Sequence, residues 1–264
     1  MNAKIPALSI VTAVRNARDA LARTGASIRP LARLLDLEWI IVDGASTDGT
    51  AAFASMFDER WIRASSEPDT GIYDAMNKGI RRARGDLIWF LNAGDLVASG
   101  DSLAGFIGAL PPPARAGALF YGDALEPSAD GRLLFKRARR PESLPFGLFA
   151  HHQAMLFGRD AIAPYRYDTT LSIAADYGLV AGMWRGGVPF ERIDLPVCVF
   201  ERGGASATNV LRGMVEQARA KHDALDLPRW KAAAIGLAQL SAIGFRRLFP
   251  DVYDRVRFAR HEPA

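Results

Sequence analysis

The chain of 264 residues is long enough for one large domain, or for one domain with a sizeable appendage. Hydrophobic residues make up 49% of it and charged residues 23%, a balance that excludes disordered and fibrous proteins. The formal net charge of +4 is too mild to select an anionic ligand, a membrane surface or any other partner.

The first third of the chain alternates between short apolar runs and helical segments, as successive βαβ units do. Strands are predicted over 8–12 and 38–42, with an interrupted helix over 17–35 between them. A polar turn after the second strand leads into a helix over 51–57, and a short strand is predicted over 61–64. Units of this kind predict a parallel sheet with helices packed against it.

The stretch from 65 to 95 has the clearest pattern. Apolar residues recur at helical spacing over 72–83, and Gly85 is predicted to end that helix. The uninterrupted apolar run over 87–91 is typical of a central strand that is covered on both faces. A polar turn follows the strand and closes on Asp95.

Three of these predicted strands end in polar residues, and right-handed crossovers would bring their carboxyl ends to one edge of a sheet. That edge would carry Asp43 and Asp95. Ligands of open α/β sheets bind at this edge, so these two carboxylates are the first candidates for chemistry. The alternative is that both are turn residues that end strands, as aspartate often does.

The second half of the chain has a different pattern. Strands are predicted over 118–121 and 133–136, with a turn at Gly122 and Asp123. A basic run, Arg137, Arg139 and Arg140, then follows. We expect a solvated basic face there, and contact with a diphosphate or an anionic acceptor is the alternative.

His151 and His152 open a strand predicted to run through Phe157. Adjacent side chains of a strand point to opposite sides, so at most one of these histidines would face a site. The remaining predicted elements are a helix from 172 to about 187, strands over 190–193 and 197–200, a loop over 201–206, and helices over 210–225 and 229–249.

The sequence resembles the family 2 glycosyltransferases, inverting enzymes with the GT-A fold, in three successive segments: SIVTAVRN, EWIIVDGASTDGT and SEPDTGIYDAMNKGIRRARGDLIWFLNAGD. The branch that builds bacterial exopolysaccharide and lipopolysaccharide sugars is most similar, through GIYDAMNKGI and FLNAGD. The similarity is strong over roughly the first hundred residues and weaker up to about Ser206.

The resemblance implies an α/β fold of the GT-A type, which is a Rossmann-like mixed sheet flanked by helices, with a C-terminal helical extension. The glycosyltransferase domain would cover 1–206, with a nucleotide-binding half over about 1–110 and an acceptor half over about 114–206. Residues 207–264 would form the helical extension.

The resemblance also implies a nucleotide-sugar site at the predicted edge of the sheet. Thr12 and Ala13 would line the nucleotide site, and Asp43 would hydrogen-bond the base. Asp69 and Lys78 would lie beside the same nucleotide.

Many members of the resembled family carry a pair of aspartates after the fourth strand, the second of which holds a divalent metal on the diphosphate. Gly94 and Asp95 occupy these positions here, so the ribose-side acid is missing and the metal-side acid is present. The resemblance therefore implies a Mn²⁺ or Mg²⁺ cofactor at Asp95, which would neutralise the charge of the leaving diphosphate.

An acidic residue at the start of the helix near 172 is the general base in the resembled family, and Asp176 matches that position. Inverting transfer in one displacement needs a carboxylate opposite the leaving group, where it takes the proton of the acceptor hydroxyl. The alternative for Asp176 is an acid that simply favours a helix start through the helix dipole.

Two further residues are candidates on the acceptor side. HHQAMLF is similar to a motif near the acceptor pocket, which makes His152 a candidate, with a buried structural histidine as the alternative. The glycine-containing loop after 200 resembles a segment that closes over donor and acceptor, so Arg202 would approach the diphosphate unless it is an ordinary surface arginine.

The last predicted helix is unusually apolar and is flanked by arginines. One interpretation is a helix in the interface of an anionic membrane, and the alternative is packing on the domain or on another subunit. Cys198 is the only cysteine, and no apolar run is long enough to span a bilayer. We therefore expect a cytoplasmic protein, peripheral on the inner face of the cytoplasmic membrane if the first interpretation holds.

The expected function is metal-dependent transfer of a hexosyl-type sugar from a nucleotide-diphosphate donor to a hydroxyl of a glycan or lipid-linked glycan. UDP is the preferred carrier by resemblance, and GDP and dTDP stay open. The alternatives are a nucleotidyltransferase, whose glycine-rich activation loop is not visible in TAVRNARDA, and a non-catalytic nucleotide-sugar binding module. Nucleic acid is not an expected partner, because the positive charge is modest and no aromatic stacking platform is evident.

Overall fold

The computed structural model describes residues 5–128, 131–201 and 209–248, and within the last helix it describes the side chains only up to 239 and at 241. The elements of the first half are β1 (Leu8–Val14), α1 (Arg18–Leu34), β2 (Leu37–Asp43), α2 (Thr50–Ser55), β3 (Ile62–Ser66), α3 (Ile72–Arg82), β4 (Leu87–Phe90), β5 (Leu96–Val97), α4 (Gly100–Ala109) and α5 (Pro112–Gly117).

The elements of the second half are β6 (Leu119–Pro127), β7 (Leu133–Lys136), two 3-10 helices (Pro141–Phe146 and His152–Ala154), β8 (Met155–Gly158), α6 (Arg159–Ile162), α7 (Ala175–Arg185), β9 (Phe190–Val199), α8 (Val210–Leu225) and α9 (Arg229–Leu248).

All strands of the described residues join one mixed sheet, in the order β3-β2-β1-β4-β8-β6-β9-β5, with β7 paired to β6. The first four strands in this order are mutually parallel, and β8 is antiparallel to both β4 and β6. The predicted mixed sheet flanked by helices is therefore confirmed. The parallel half has the expected origin, since β1, β2 and β4 are mostly apolar and are buried along their whole length.

Two apolar layers cover the two faces of the sheet. Strand alternation directs Ile10 and Trp89 to the layer that contains α1 and α4, and it directs Val11 and Phe90 to the layer that contains α3 and α7. The two helices that carry Lys78 and Asp176, α3 and α7, are thus packed in the same layer on one face of the central strands.

Gly85 does not end the third helix, as its position in the sequence predicts, because α3 already ends at Arg82. The glycine has another physical reason. A Cβ at Gly85 would lie 2.6 Å from the Ser9 nitrogen and 2.7 Å from the Leu8 carbonyl carbon, so only glycine lets this segment approach β1 so closely.

The predicted turn at Gly122 and Asp123 is wrong, because β6 runs straight through both residues. A Cβ at Gly122 would lie 2.7 Å from the Leu195 carbonyl oxygen, and the missing side chain lets β9 pair alongside. The ladder between β6 and β9 shifts register beside Asp123. The two strands predicted over 190–193 and 197–200 are accordingly one irregular strand, β9.

The strand predicted to begin at His151 begins only at Met155, and a 3-10 turn occupies His152–Ala154. The helix predicted from 172 begins at Ala175. The two predicted C-terminal helices are present as α8 and α9. The predicted boundary at Ser206 between domain and extension lies outside the described residues, and that division stays a prediction.

Candidate active site

The predicted common edge of the sheet is present. β1 lies between β2 and β4 and is parallel to both, with Val14 paired to Asp43 and Val11 paired to Phe90. Asp95 follows β4 by a short turn, so Asp43 and Asp95 share the carboxyl edge. Two strand spacings, about 10 Å, separate β2 from β4.

Asp43 is fully buried, and both of its carboxylate oxygens have partners in the protein. Oδ2 accepts hydrogen bonds from the Ser46 amide at 3.0 Å and from the Ser66 hydroxyl at 2.6 Å, while Oδ1 accepts from the Ser46 hydroxyl. These bonds hold the turn after β2 and the end of β3 together. They support the turn interpretation of Asp43, and its contact with a base stays a prediction.

Asp69 and Lys78 lie close to this turn. A Cβ at Gly44 would overlap Oδ2 of Asp69, so glycine after Asp43 lets the loop before α3 fold over the end of β2. Lys78 fastens the same loop, since its ammonium donates to the Pro68 carbonyl oxygen at 2.6 Å. The structure therefore gathers Asp43, Asp69 and Lys78 at one end of the edge.

Thr12 lies in the interior of the protein. The residue is fully buried, and its hydroxyl donates to the Leu91 carbonyl oxygen at 2.7 Å and accepts from the Trp39 indole at 2.8 Å. The pleat of β1 turns the Thr12 side chain into the layer under α1, and the expectation that Thr12 lines a nucleotide site stays a prediction. Ala13 points to the opposite face and is 6% exposed within the α3 layer.

The turn after β4 is held by Thr24 of α1. The Thr24 hydroxyl donates to the Asp95 carbonyl oxygen at 2.9 Å and accepts from the Gly94 amide at 2.9 Å. Gly94 has a φ of +103°, and a Cβ there would overlap Oε2 of Glu201. Glycine in place of the missing acid thus has two structural reasons, its backbone conformation and the nearby Glu201 carboxylate.

Asp95 is 4% exposed, and its Oδ1 accepts a hydrogen bond from the Glu201 amide at 3.0 Å. Burial, together with the charge of Glu201, raises the pKa of Asp95 to about 7. No ion pair among the described residues includes Asp95. A buried carboxylate next to a second acid, with no cationic partner in the part of the chain that the structure describes, fits a divalent cation, which would stabilise the ionised form.

A further oxygen donor lies in the same turn. Oδ1 of Asn92 is buried and has no hydrogen-bond partner among the described residues. Among all the residues that the structure describes, no group of three or more His, Cys, Asp or Glu residues is arranged to hold a metal ion. Oxygen donors of this type suit Mg²⁺ or Mn²⁺, which keep waters and phosphate oxygens in their shell, so the residues present fit the implied metal.

Asp176 lies in the first turn of α7 at the same edge of the sheet. Its neighbour is Tyr73, in the first turn of α3, which begins at the edge where β3 ends. The Tyr73 hydroxyl donates to the Ile173 carbonyl oxygen at 2.7 Å and lies 3.5 Å from Oδ1 of Asp176. The Tyr177 amide donates to the same Oδ1 at 2.7 Å.

Burial raises the pKa of Asp176 to about 6, against the hydrogen bonds from the Tyr177 amide and the Tyr73 hydroxyl, which lower it. The carboxylate is thus mostly ionised at neutral pH and is more basic than an exposed aspartate. This combination of ionisation and basicity is what general-base chemistry at neutral pH requires.

His152 lies in the core, which supports the interpretation as a buried structural histidine, and contact with an acceptor stays a prediction. It is 5% exposed, and its Nε2 lies 2.8 Å from the Tyr167 hydroxyl. Burial lowers the pKa of His152 to about 3, so the ring is neutral. Tyr167 in turn stacks on Tyr73, with ring centroids 5.5 Å apart, so His152 supports the wall behind Asp176.

Two other predicted features have different outcomes. Arg202, expected near the diphosphate, lies outside the described residues. The basic run around Arg139 lines a pocket of about 480 Å³ together with Arg192 and Tyr121. Arg139 itself donates to the Gly147 and Leu148 carbonyl oxygens, which ties it to the protein surface.

Four residues in contact with the site were not found from the sequence: Thr24, Tyr73, Glu201 and Glu216. Tyr73 lies inside the motif GIYDAMNKGI, in the first turn of α3, so the motif could have indicated that Tyr73 is close to the site. The other three act through contacts with residues far away in the chain, and no local pattern marks such contacts.

Comparisons with known proteins bear on the family and the fold of this chain. A family model described as "Glycosyl transferase family 2" matches residues 9–126. An uncharacterized glycosyltransferase of Mycobacterium tuberculosis is 35% identical over 181 residues, which cover 65% of this chain and 66% of that protein. The match thus spans just under two thirds of that relative's length.

Solved structures support the fold at low sequence identity. S. aureus TarS 1-349 in complex with UDP-GlcNAc has a TM-score of 0.63 and 12% identity, covering 96% of this chain and 78% of that one. The mannosyltransferase PcManGT of Pyrobaculum calidifontis, in complex with GDP-Man and Mn²⁺, has a TM-score of 0.59 and 18% identity, with coverage of 96% and 83%. The fold of this chain is that of the GT-A glycosyltransferases.

Proposed function

We propose that this chain, which belongs to the family 2 glycosyltransferases, moves a sugar from a nucleotide-diphosphate donor to an acceptor hydroxyl with inversion, using Asp176 as general base. The observation that carries the proposal is the environment of Asp176. Its carboxylate has a pKa raised by burial to about 6 and stands at the carboxyl edge of the sheet that also bears Asp95.

The reaction would be a single displacement. The acceptor oxygen attacks the anomeric carbon while the bond from that carbon to the diphosphate oxygen breaks, and the bonding electrons leave with the diphosphate. The hydroxyl proton passes to the carboxylate of Asp176. No covalent sugar-enzyme intermediate forms, so the configuration at the anomeric carbon inverts.

Asp95 would hold a Mg²⁺ or Mn²⁺ ion, and Asn92 would offer a further oxygen. When bound, such an ion supplies positive charge that neutralises the departing diphosphate. Support comes from the burial of Asp95 beside Glu201 and from the Mn²⁺ in the mannosyltransferase complex. Thr24 orients the turn that carries Asp95 by bonding its backbone from α1.

The donor is proposed to be a UDP-sugar, with hexosyl transfer as the expected class. UDP-GlcNAc in the S. aureus structure supports UDP, whereas GDP-Man in the other structure keeps GDP as the alternative. Asp43, Asp69 and Lys78 would contribute to the nucleotide side of the cleft, since they meet at the end of β2.

The acceptor is proposed to be a glycan or a lipid-linked glycan on the cytoplasmic side of the membrane. α9 supports peripheral contact with lipid, because Trp230 is 69% exposed and Leu237 is 65% exposed while Ala232 is buried. Among the described residues, no helix combines the length and hydropathy that crossing a bilayer requires. Flotation with liposomes of increasing anionic lipid content tests this contact, and absence of the protein from the lipid fraction at every composition would refute it.

The central test is nucleotide release from a panel of UDP-, GDP- and dTDP-sugars in the presence of Mn²⁺ and candidate acceptors. Asp176→Asn should abolish transfer and leave donor affinity, measured by calorimetry, within about twofold of the wild-type value, because the carboxylate acts on the acceptor side. Unchanged turnover in Asp176→Asn would remove Asp176 as the base. Binding of a nucleotide sugar without turnover of any acceptor would instead favour a non-catalytic binding module.

A further inference from the structure

We infer that Glu216 of α8 is a positioning residue for Asp176, because its carboxylate holds the turn from which α7 and the proposed base project. This inference rests on the proposed function. It gives a role in transfer to a helix that lies beyond the family match over 9–126 and in the segment predicted to be a separate extension.

The carboxylate of Glu216 makes three hydrogen bonds to the residues just before α7. Oε2 accepts from the Ile173 amide at 2.7 Å and from the Ala174 amide at 3.1 Å, while Oε1 accepts from the Ser172 hydroxyl at 2.9 Å. α7 has no side-chain cap of its own at Ala174. Glu216 therefore binds, from another helix, the amide of the N-cap residue Ala174 and the amide of the residue before it, and so fixes the backbone from which α7 starts.

The interaction is made by a buried, ionised group. Glu216 is 8% exposed, and although burial raises its pKa, the hydrogen bonds from Ile173, Ser172 and Ala174 outweigh burial and lower the pKa to about 2. The one ion pair described for it is with Arg212, one turn earlier on α8, at 3.0 Å. Both carboxylate oxygens thus bond the turn, and the charge persists at every pH at which the protein would work.

The Ile173 peptide is held from two directions. Its amide is bound by Glu216 on α8, and its carbonyl oxygen accepts the Tyr73 hydroxyl from α3 at 2.7 Å. That same hydroxyl lies 3.5 Å from Oδ1 of Asp176. A shift of the turn would therefore change the distance from Tyr73 to Asp176 and the direction of the proposed base, and displacements of about 1 Å cost large factors in rate.

The rest of α8 packs closely against α7, which makes the contact specific. A Cβ at Gly213 would lie 3.0 Å from the Ile173 side chain, so this glycine brings α8 to the turn. One helical turn beyond Glu216, the buried Lys221 places its ammonium 5.7 Å from the ring of Tyr177, the residue after Asp176. α8 thus contacts the chain on both sides of the base.

The test is Glu216→Gln, which keeps the shape of the side chain but replaces the ionised acceptor of the two amides with a neutral one and no longer accepts the Ser172 hydroxyl. The expected result is a fall in kcat of about tenfold or more, with donor Kd unchanged within about twofold, because orientation of the base affects the transition state and not donor binding. Hydrogen exchange at the Ile173 and Ala174 amides should become faster in this variant. Arg212→Ala, which removes only the outward ion pair, should retain at least half of the wild-type kcat.

A merely structural role is separated by a stability-matched control. Ile107→Ala removes a buried side chain of α4, in the apolar layer on the opposite face of the sheet. If Ile107→Ala lowers the melting temperature at least as much as Glu216→Gln does, it should still keep the wild-type kcat at the assay temperature, where both variants are folded. Equal kcat in wild type and folded Glu216→Gln would overturn the inference. If Glu216→Gln does not fold, Ser172→Ala decides: a lower kcat at unchanged donor Kd supports the inference, and an unchanged kcat overturns it.

Asp176→Asn in the same assay distinguishes this inference from the proposed function. If Asp176→Asn turns over like wild type, the proposed base is wrong whatever Glu216 does. If Asp176→Asn is inactive and Glu216→Gln retains the wild-type kcat, only the role of Glu216 fails.

Discussion

The rate of sugar transfer should depend on pH through Asp176. Burial raises its pKa from 3.8 to about 6, so about nine-tenths of the carboxylate is ionised at pH 7 and about one-tenth at pH 5. Only the ionised form can take the proton of the acceptor. With Mn²⁺ saturating at every pH, so that Asp95 stays ionised, we expect kcat/KM to be flat above pH 7 and to fall about tenfold between pH 7 and pH 5.

Tyr73→Phe should shift the acid limb of this pH profile, which is the fall in kcat/KM below pH 7, to higher pH. The Tyr73 hydroxyl stabilises the ionised form of Asp176 and lowers its pKa, so its removal should raise that pKa and move the acid limb to higher pH. The single hydroxyl proton is donated to the Ile173 carbonyl oxygen at 2.7 Å, so the contact of 3.5 Å with Oδ1 is weaker than a full hydrogen bond to a charged group, which contributes about 1.5 kcal/mol. The ratio of wild-type to variant kcat/KM should therefore be larger at pH 6 than at pH 9, by less than about fivefold, and any loss that persists at pH 9 reports the lost bond to Ile173.

The assay is nucleotide release under kcat/KM conditions from pH 5 to pH 9, with circular dichroism at each pH to show that the protein stays folded. Tyr165→Phe is the matched control, since Tyr165 packs beside Gly186 at the far end of α7 and is remote from the base. A wild-type profile without an acid limb near pH 6, or a limb that Tyr73→Phe leaves in place, would refute the reasoning.

Three further outcomes are expected. Asp95→Asn should abolish the Mn²⁺-dependent rise in melting temperature, because the ionised ligand is lost, and an undiminished rise would locate the metal elsewhere. Gly79→Ala should lower the free energy of unfolding in urea by about 1–3 kcal/mol, since its Cβ would overlap the buried Val11 side chain. Gly105→Ala, whose Cβ would meet open space, should be neutral or slightly stabilising. Equal effects of the two substitutions would contradict this packing. Glu38 is buried, and its hydrogen bonds and cationic partners outweigh burial and lower its pKa, so the stability it contributes is present above pH 4.5 and is lost as the pH falls through the folded pKa. Glu38→Gln should reduce the free energy of unfolding at pH 7 and flatten its decline toward acid pH in pH-jump unfolding experiments. An unchanged decline would assign the acid dependence to another group.

The elements that sequence alone could predict are those with a strong local period. β4 is a continuous apolar run, β1 and β2 are mostly apolar, and α3 repeats its apolar residues at helical spacing, so their type and approximate bounds follow without tertiary information. The carboxyl edge follows as well, because parallel strands joined by crossovers must end on the same side.

Tertiary contacts determined the structure at the residues where the local sequence pattern gave a different prediction. Gly122 has the appearance of a turn residue, but it lies inside β6 because β9 needs the space of its missing side chain. Thr12 ends an apolar run beside the expected site, but the pleat of β1 turns its hydroxyl toward Trp39. In both cases the neighbour that determines the outcome is distant in the chain.

Local motifs in the sequence by themselves determined which acids stand where chemistry is expected, namely Asp43, Asp95 and Asp176. Only the tertiary structure decided how those acids are surrounded: Asp43 is bonded by serines, Asp95 is buried beside Glu201, and Asp176 is reached by Tyr73. The physical reason is that spacing along the chain sets helices and strands, whereas burial and hydrogen bonding, which set the pKa of a carboxylate, depend on residues that only folding brings together.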